Sequence, residues 1–203
     1  MSRKTLFSIA VALQVALLGW MVASSERTLS RGTLVLLKVR PFDPVDFMTG
    51  RYINARPEIS SLDLATVPLA GEDGDGDGGW TGRPGTGPHA GLWNHGVLVE
   101  VRPGAGVWTA TRVVVEGGSV APRAPFLRGR VTSVAGENLE VDYGIDRFDI
   151  PYDAEDPTLF TRSKEHVLLL AVRVADDGRT VTEDLRVDGR PFAEWNAAEK
   201  AKR

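Results

Sequence analysis

The sequence predicts an all-β domain, an antiparallel meander that forms a partly closed barrel or a sandwich, preceded by one N-terminal transmembrane helix. Two observations carry this prediction. An apolar run of about 18 residues lies close to the N-terminus. From residue 34 onward, apolar residues occur in short runs that are rich in β-branched side chains and bounded by Gly, Pro or Asp. The chain is therefore expected to anchor a β domain at a bilayer.

The predicted anchor occupies residues 1–25. Its apolar run begins at Leu6 and ends at Ala23, and at ~1.5 Å per residue such a helix spans roughly 27 Å, enough for the hydrocarbon core. Trp20 stands near the far end, where an indole ring favours the headgroup region. The lipid bilayer is thus the first predicted partner of the chain.

Two interpretations of this segment remain open. The small residues Ala23, Ser24 and Ser25 also fit the cleavage site of a secretory signal peptide, but the apolar run is longer than in most signal peptides. We favour an uncleaved anchor. Because Arg3 and Lys4 precede the run, the N-terminus is expected in the cytoplasm and the bulk in the periplasm or another extracytoplasmic space. The protein is predicted to be a single-pass inner-membrane protein.

Residues 26–195 are predicted to form one β domain, with a flexible Gly- and Asp-rich insertion at residues 71–90 and a charged tail at residues 196–203. The net charge of −3 and the pI of 5.7 provide no basic surface for nucleic acid, so no nucleic-acid partner is expected. The absence of cysteine excludes thiol chemistry and Cys-ligated metals.

Several segments have the length and composition of strands, and the turn at residues 176–178 predicts a hairpin between the last two. The predicted strands are residues 34–39, 52–55, 96–101, 107–115, 126–131, 138–143, 166–174 and 180–187. The segment of residues 57–64 is so short that its apolar periodicity does not distinguish a helix from a strand.

Two segments combine prolines, acids, arginines and aromatic residues. Residues 40–58 read RPFDPVDFMTGRYINARPE, and residues 143–151 read YGIDRFDIP. They resemble the entry segment and the Tyr-Gly-Ile-Glu-Arg-Phe signature of the GDYXXLXY protein family. Arg51 replaces the family's Asp, and Asp146 replaces its usual Glu. Because that family has no established activity, the resemblance implies an architecture, and companionship with multi-span membrane proteins, more than a reaction.

If these segments meet, Asp43 or Asp46 is expected to accept a forked hydrogen bond from Arg147, and Asp146 or Asp149 one from Arg51. Two interpretations remain: a structural clamp between two loops, or a recognition surface for a partner. The candidate residues are Asp43, Asp46, Gly50, Arg51, Tyr52, Tyr143, Gly144, Asp146, Arg147 and Phe148.

A weak calcium site is the single metal hypothesis. Asp73, Asp75 and Asp77 match the first half of an acidic Ca²⁺ loop, but Pro84 stands where such a loop needs a bidentate carboxylate. No other metal and no cofactor are predicted.

The expected function is that of a non-enzymatic binding or assembly subunit for another membrane protein, since no nucleophile motif is present. The alternative is an envelope hydrolase or peptidase, similar to signal peptidases in joining an N-terminal span to a β domain. For that alternative, Ser30 with Lys38 or Lys164 is available as a Ser/Lys pair.

Deletion of residues 72–79 is predicted to leave the melting temperature nearly unchanged, because a doubling of loop length alters loop-closure entropy by only about 0.6 kcal/mol. Differential scanning calorimetry of the full-length and deleted chains tests this expectation. A rise of several degrees on adding millimolar Ca²⁺, lost in the deleted chain, would instead show that the acidic loop binds the ion.

Overall fold

The computed structural model describes residues 2–41, 52–70, 89–123, 125–155, 157 and 166–202. The helices in this part of the chain include α1 (Arg3–Arg31) and α2 (Phe192–Lys200). The strands are β1 (Thr33–Pro41), β2 (Tyr52–Pro57), β3 (Ser61–Asp63), β4 (Leu69–Ala70), β5 (Gly96–Pro103), β6 (Trp108–Val115), β7 (Phe126–Ala135), β8 (Asn138–Asp142), β9 (Arg147–Asp149), β10 (Leu168–Val174), β11 (Thr180–Val187) and β12 (Arg190–Pro191).

The strands form two curled sheets. The first has the order β12-β11-β10-β1-β2-β9, and the second has the order β3-β8-β7-β5-β6-β4. Nearly all neighbours are antiparallel, whereas β4 pairs with β6 in parallel. The predicted all-β fold with an N-terminal apolar helix is therefore confirmed.

One core fills the space between the sheets. On β1, the side chains of Val35, Leu37 and Val39 are buried, whereas their neighbours Leu34 and Leu36 are partly exposed, as expected for a strand with one face inward. The same buried cluster contains Leu127 and Leu139 of the second sheet and Leu170 and Leu185 of the first. Burial of this apolar surface holds the two sheets together.

Most predicted strands lie where the sequence placed them, with small shifts at their ends. The hairpin strand at residues 180–187 has the predicted bounds, and β10 begins at Leu168 instead of residue 166. Residues 57–64 combine both predicted states, since a 3-10 turn at Glu58–Ser60 leads directly into β3. Most of the Gly-rich insertion, residues 71–88, lies outside the described residues.

Both ends of the domain contain more helix than the sequence indicated. α1 continues past residue 25 to Arg31. Residues 196–200 of the predicted tail form the second half of α2, because Phe192 and Trp195, three positions apart, bury their rings in the core and fix the helix there. The sequence predicts a charged tail here because charged residues outnumber this apolar pair.

α1 passes into β1 through a single residue, Gly32. Its N–H donates to the carbonyl of Thr28 at 2.8 Å. A Cβ atom at this position would lie 2.6 Å from the Thr28 carbonyl oxygen and 3.0 Å from that of Val174. Since both neighbours are backbone atoms, only glycine fits, and helix and sheet approach each other closely here.

Further contacts join the end of α1 to the β10–β11 turn, residues 175–179. Arg179 donates from Nη1 to the Ser24 hydroxyl at 2.5 Å, and Thr28 is buried. On its other side the turn meets the second sheet, where the Arg128 N–H donates to the Gly178 carbonyl at 2.9 Å. The turn thus connects α1 with both sheets.

Glu100 is a buried acid within the second sheet. Its carboxylate accepts hydrogen bonds from the paired Arg112 on β6 and, at 2.7 Å, from the N–H of Arg123. Burial raises the pKa of this carboxyl, but the hydrogen bonds and charges of Arg112 and Arg123 outweigh burial, so the pKa lies below its ordinary value of 4.5. The ion pair joins β5 to β6, and the hydrogen bond from the Arg123 N–H ties the β6–β7 connection to β5.

Glu100→Gln is expected to lower the free energy of unfolding at neutral pH by about 1–3 kcal/mol, because Arg112 loses its partner. A lowered pKa contributes stability above the unfolded value near 4.5, and that stability is lost as the pH falls through the folded value. The deficit of the variant should therefore shrink in acid. Urea unfolding between pH 7 and pH 3 measures it, with the exposed Glu137→Gln as control; a deficit that is constant with pH contradicts the assignment.

Candidate functional site

Residues 143–146 carry the chain from β8 of the second sheet to β9 of the first; together with the first two residues of β9 we call them the corner segment, residues 143–148. Its first residue, Tyr143, is 7% exposed, and its hydroxyl donates to the carbonyl of Ile59 at 2.9 Å. Burial raises the pKa of Tyr143 well above its usual value, so the hydroxyl stays protonated. Tyr143 therefore fixes the corner segment to the turn that precedes β3.

The backbone of the corner segment is shaped by a positive φ of 68° at Gly144, a conformation that glycine adopts without strain. The Gly144 N–H donates to the Asp142 carboxylate at 2.7 Å. Two residues on, the carbonyl of Asp146 accepts a hydrogen bond of 2.6 Å from the N–H of Ala55. The segment turns sharply and joins β2 at once.

β2 and β9 then place Tyr52 beside Arg147. These antiparallel strands pair Tyr52 with Asp149 and Asn54 with Arg147. The Arg147 guanidinium lies 4.4 Å from the centre of the Tyr52 ring, a cation–π contact, and its Nε donates to the Asp149 carboxylate at 2.8 Å. About half of the Arg147 side chain is exposed. These groups form a polar strip across β2 and the edge strand β9.

Phe148 faces the opposite way from this strip. Its ring meets the Phe192 ring edge-on, with centroids 5.6 Å apart, and it packs against the core. Thus Tyr143, Gly144 and Phe148 stabilise the fold through a buried hydrogen bond, a turn and core packing. Tyr52 and Arg147, by contrast, present polar groups to solvent. Asp146 contributes its backbone carbonyl to the contact with β2.

The remaining predicted site residues cannot be placed in this arrangement. Asp43, Asp46, Gly50 and Arg51 lie outside the described residues, so their pairing with the corner segment stays a prediction. The calcium candidates Asp73, Asp75 and Asp77 lie outside them too. Among the residues that the structure does describe, no group of three or more His, Asp or Glu side chains converges as metal ligands would.

Two clefts flank the corner segment. One, of about 290 Å³, separates Tyr143 from α1 and is also lined by Ser24, Thr28 and Arg179. The other, of about 240 Å³, is lined by Asn54, Arg56, Ser60, Asp142 and Asp146, among others. The amide oxygen of Asn54 is buried, and within the described part of the chain it accepts no hydrogen bond. The corner segment therefore faces α1 on one side and a polar groove on the other.

The residues considered for a Ser/Lys pair have other contacts. The Ser30 hydroxyl donates to the Arg27 carbonyl, and Lys38 pairs with Glu58 at 2.9 Å. These two residues do not form the hydrogen-bonded pair that activates a nucleophile. Lys164 lies outside the described residues.

Sequence reasoning missed a second interaction cluster at the start of β10. Asp188 accepts hydrogen bonds from His166 Nδ1 at 2.6 Å and from the Val167 N–H at 2.8 Å. The His166 ring also meets the Trp195 ring edge-on. Asp188 has a positive φ of 51°. The Asp188-Gly189 dipeptide is typical of a turn, and it is the sequence feature that indicates this one. The cluster fastens α2 and the ends of β10 and β11.

These features define a class of protein: an all-β domain of two curled antiparallel sheets, preceded by one helix that is long and apolar enough to span a membrane. The family model described as GDYXXLXY protein matches residues 14–185. The chain therefore belongs to the GDYXXLXY family, which confirms the resemblance seen in the sequence. No curated protein and no solved structure gives a significant match.

Tyr143→Phe is expected to lower the free energy of unfolding by about 1–3 kcal/mol, because the buried Ile59 carbonyl loses its donor while the ring packing is kept. Chemical denaturation measures the change. The matched control is Tyr152→Phe, whose side chain is 88% exposed and should change stability by less than about 0.5 kcal/mol. Equal stability of the two variants would show that the Tyr143 hydroxyl does not hold the corner segment.

Proposed function

We propose that this protein is a membrane-anchored, non-enzymatic binding or assembly subunit whose partner is another membrane protein. The observation that carries the proposal is the shared cleft between the corner segment and the last turns of α1. Tyr143, the first residue of the family signature, thus lines a cleft with residues that follow the apolar run of α1. A partner that contacts them would lie at the membrane surface.

The exposed apolar surface of α1 supports the anchor. Leu13 and Trp20 are 71% and 74% exposed, an arrangement suited to lipid and unfavourable in water. The helix also continues without a break through Ala23, Ser24 and Ser25, and Ser24 bonds to Arg179 of the domain. Continuous helix and this contact favour an uncleaved anchor over a signal peptide. With Arg3 and Lys4 at its start, the helix would leave its N-terminus in the cytoplasm and the β domain in the periplasm.

The polar strip supports recognition of a partner. Arg and Tyr are enriched where protein surfaces bind each other, since both combine large contact area with polar groups. Tyr52 on β2 stacks with Arg147 on β9, and β9 is the last strand of its sheet. An edge strand leaves backbone groups available for an added strand. Stacking holds the half-exposed guanidinium in place, and a guanidinium group suits an acidic or carbonyl group of the partner.

Affinity purification of the tagged full chain from detergent-solubilised membranes tests the proposal. At least one integral membrane protein is expected to co-purify in a near-stoichiometric amount. Arg147→Ala should reduce its recovery about tenfold or more, as truncation of an interface arginine commonly costs more than 1 kcal/mol. Quantitative mass spectrometry measures the recovery, and a melting curve shows that the variant is folded.

Arg102→Ala is the matched control, because Arg102 is an exposed arginine on β5 of the other sheet. It should leave the recovery unchanged. A purified chain without any membrane-protein companion would contradict the assembly function. Equal losses in both variants would contradict the assignment of the partner surface to the polar strip.

A further inference from the structure

A third cleft, of about 500 Å³, lies where α1 leaves its apolar run. On the α1 side its walls include Trp20, Ser24, Arg27 and Arg31, and on the domain side they come from the β10–β11 turn, with Asp176, Asp177 and Arg179. The hydrogen bond from Arg179 to Ser24 fixes the distance between the two walls. The cleft is therefore a built feature of the junction between helix and domain.

The charges of this cleft do not cancel. Arg179 pairs with Asp177 at 2.7 Å. Burial raises the pKa of Asp177, but the hydrogen bonds and charge of Arg179 outweigh burial and lower it. Asp177 is therefore ionised, and the charges of this ion pair cancel. Asp176 is then the remaining acid, against Arg27 and Arg31. The described part of the chain offers Arg27 and Arg31 no ion pair. One positive charge remains in excess.

The spacing of Arg27 and Arg31 is itself unfavourable without an anion. They stand four positions apart on α1 and both line the cleft, so two like charges lie on one helix face, which destabilises a helix by a few tenths of a kcal/mol. Guanidinium groups bind phosphate oxygens through paired N–H donors. A phosphate between the two side chains would satisfy both.

The depth of the cleft fits a lipid headgroup. Trp20 is largely exposed near the end of the apolar run, where aromatic rings mark the membrane interface. Arg27 follows Ala23 by four residues, or about 6 Å along the helix. The polar headgroup layer is about 5–8 Å thick on each side of the hydrocarbon core. With α1 across the bilayer, Arg27 lies at the level of the phosphates.

We propose that this cleft binds the headgroup of an anionic phospholipid. Arg27 and Arg31 hold the phosphodiester oxygens, and Trp20 packs against the glycerol and the first acyl carbons. Ser24 and Arg179 position the domain wall of the site. The same chemistry would accept a free phosphate, but the position of the cleft beside an apolar helix favours a lipid. The proposal depends on α1 lying in the membrane and not on the protein partner proposed above.

Native mass spectrometry of the full chain in detergent tests the site, with phosphatidylglycerol and phosphatidylcholine of equal chain length as probes. Phosphatidylglycerol is expected to bind about tenfold more tightly, since the second lipid carries a compensating cation. Arg27→Gln combined with Arg31→Gln should abolish this preference, whereas Arg102→Gln combined with Arg123→Gln, two exposed arginines outside the cleft, should keep it. Both arginines of the site are exposed, and a melting curve confirms that the variant is folded.

A third arm separates a lipid from a free anion. Inorganic phosphate at the same concentration should neither bind nor displace phosphatidylglycerol; if it binds equally well, the site serves a free phosphate and the lipid proposal is wrong. For the wild-type chain, higher salt should weaken binding of phosphatidylglycerol more than that of phosphatidylcholine. Equal affinity for the two lipids, or equal loss in the two double variants, would also overturn the proposal.

Discussion

The one-residue junction at Gly32 determines how the rest of the structure is arranged. The backbone atoms around this residue leave no room for a side chain, and hydrogen bonds from Arg173 to the Gly32 carbonyl and from Arg179 to Ser24 hold α1 against the sheet, unlike a helix on a flexible linker. Because β1 is a central strand of the first sheet, the orientation of the helix fixes the orientation of that sheet. The second sheet follows through the shared core.

This constraint explains why so many polar contacts collect at the β10–β11 turn. Once the helix is held against the sheet, residues 175–179 lie beside the last turns of α1 and beside β7 of the second sheet. The corner segment faces the same turns of α1 across a cleft. Features that are far apart in the sequence therefore meet at the end of the apolar helix, and both proposals concern this region.

Alternation and turn chemistry predicted most of the β structure. The strand at β1 and the hairpin of β10 and β11 follow from short β-branched runs and from the Asp-Gly turn, whereas the burial of Val35 and Leu37 does not, because residues 34–37 are all apolar. Irregularities were not predictable, since the register shift between Ala171 and Val172 depends on cross-strand packing. α2 was missed because the role of Phe192 and Trp195 depends on a core formed by distant strands.

The candidate site was only partly predictable. The sequence identified both segments, and the structure shows why they are adjacent: β2 and β9 are neighbouring strands. The sequence could not show that Arg147 stacks on Tyr52, because stacking depends on the register of these strands. Nor could it separate the buried Tyr143 from its exposed neighbours, since an aromatic residue after a strand serves either purpose. The docking of Thr28 had no sequence signal at all.

The position of β1 also sets the order in which the domain can fold. This strand follows α1 directly, yet its neighbour in the sheet, β10, lies far along the chain; Arg173 and Gly32, which are hydrogen-bonded, are 141 residues apart. By contrast, β5, β6, β7 and β8 pair with one another and lie close in sequence. Local contacts form faster than distant ones because less chain entropy is lost on closing the loop. The β5–β8 part of the second sheet is thus the expected nucleus, whereas residues 33–38 of β1 stay unpaired until β10 is present, although residues 39–41 can pair with β2. A chain stalled before β10 would present that open strand to its neighbours, so the last strands to be synthesised protect the first from aggregation.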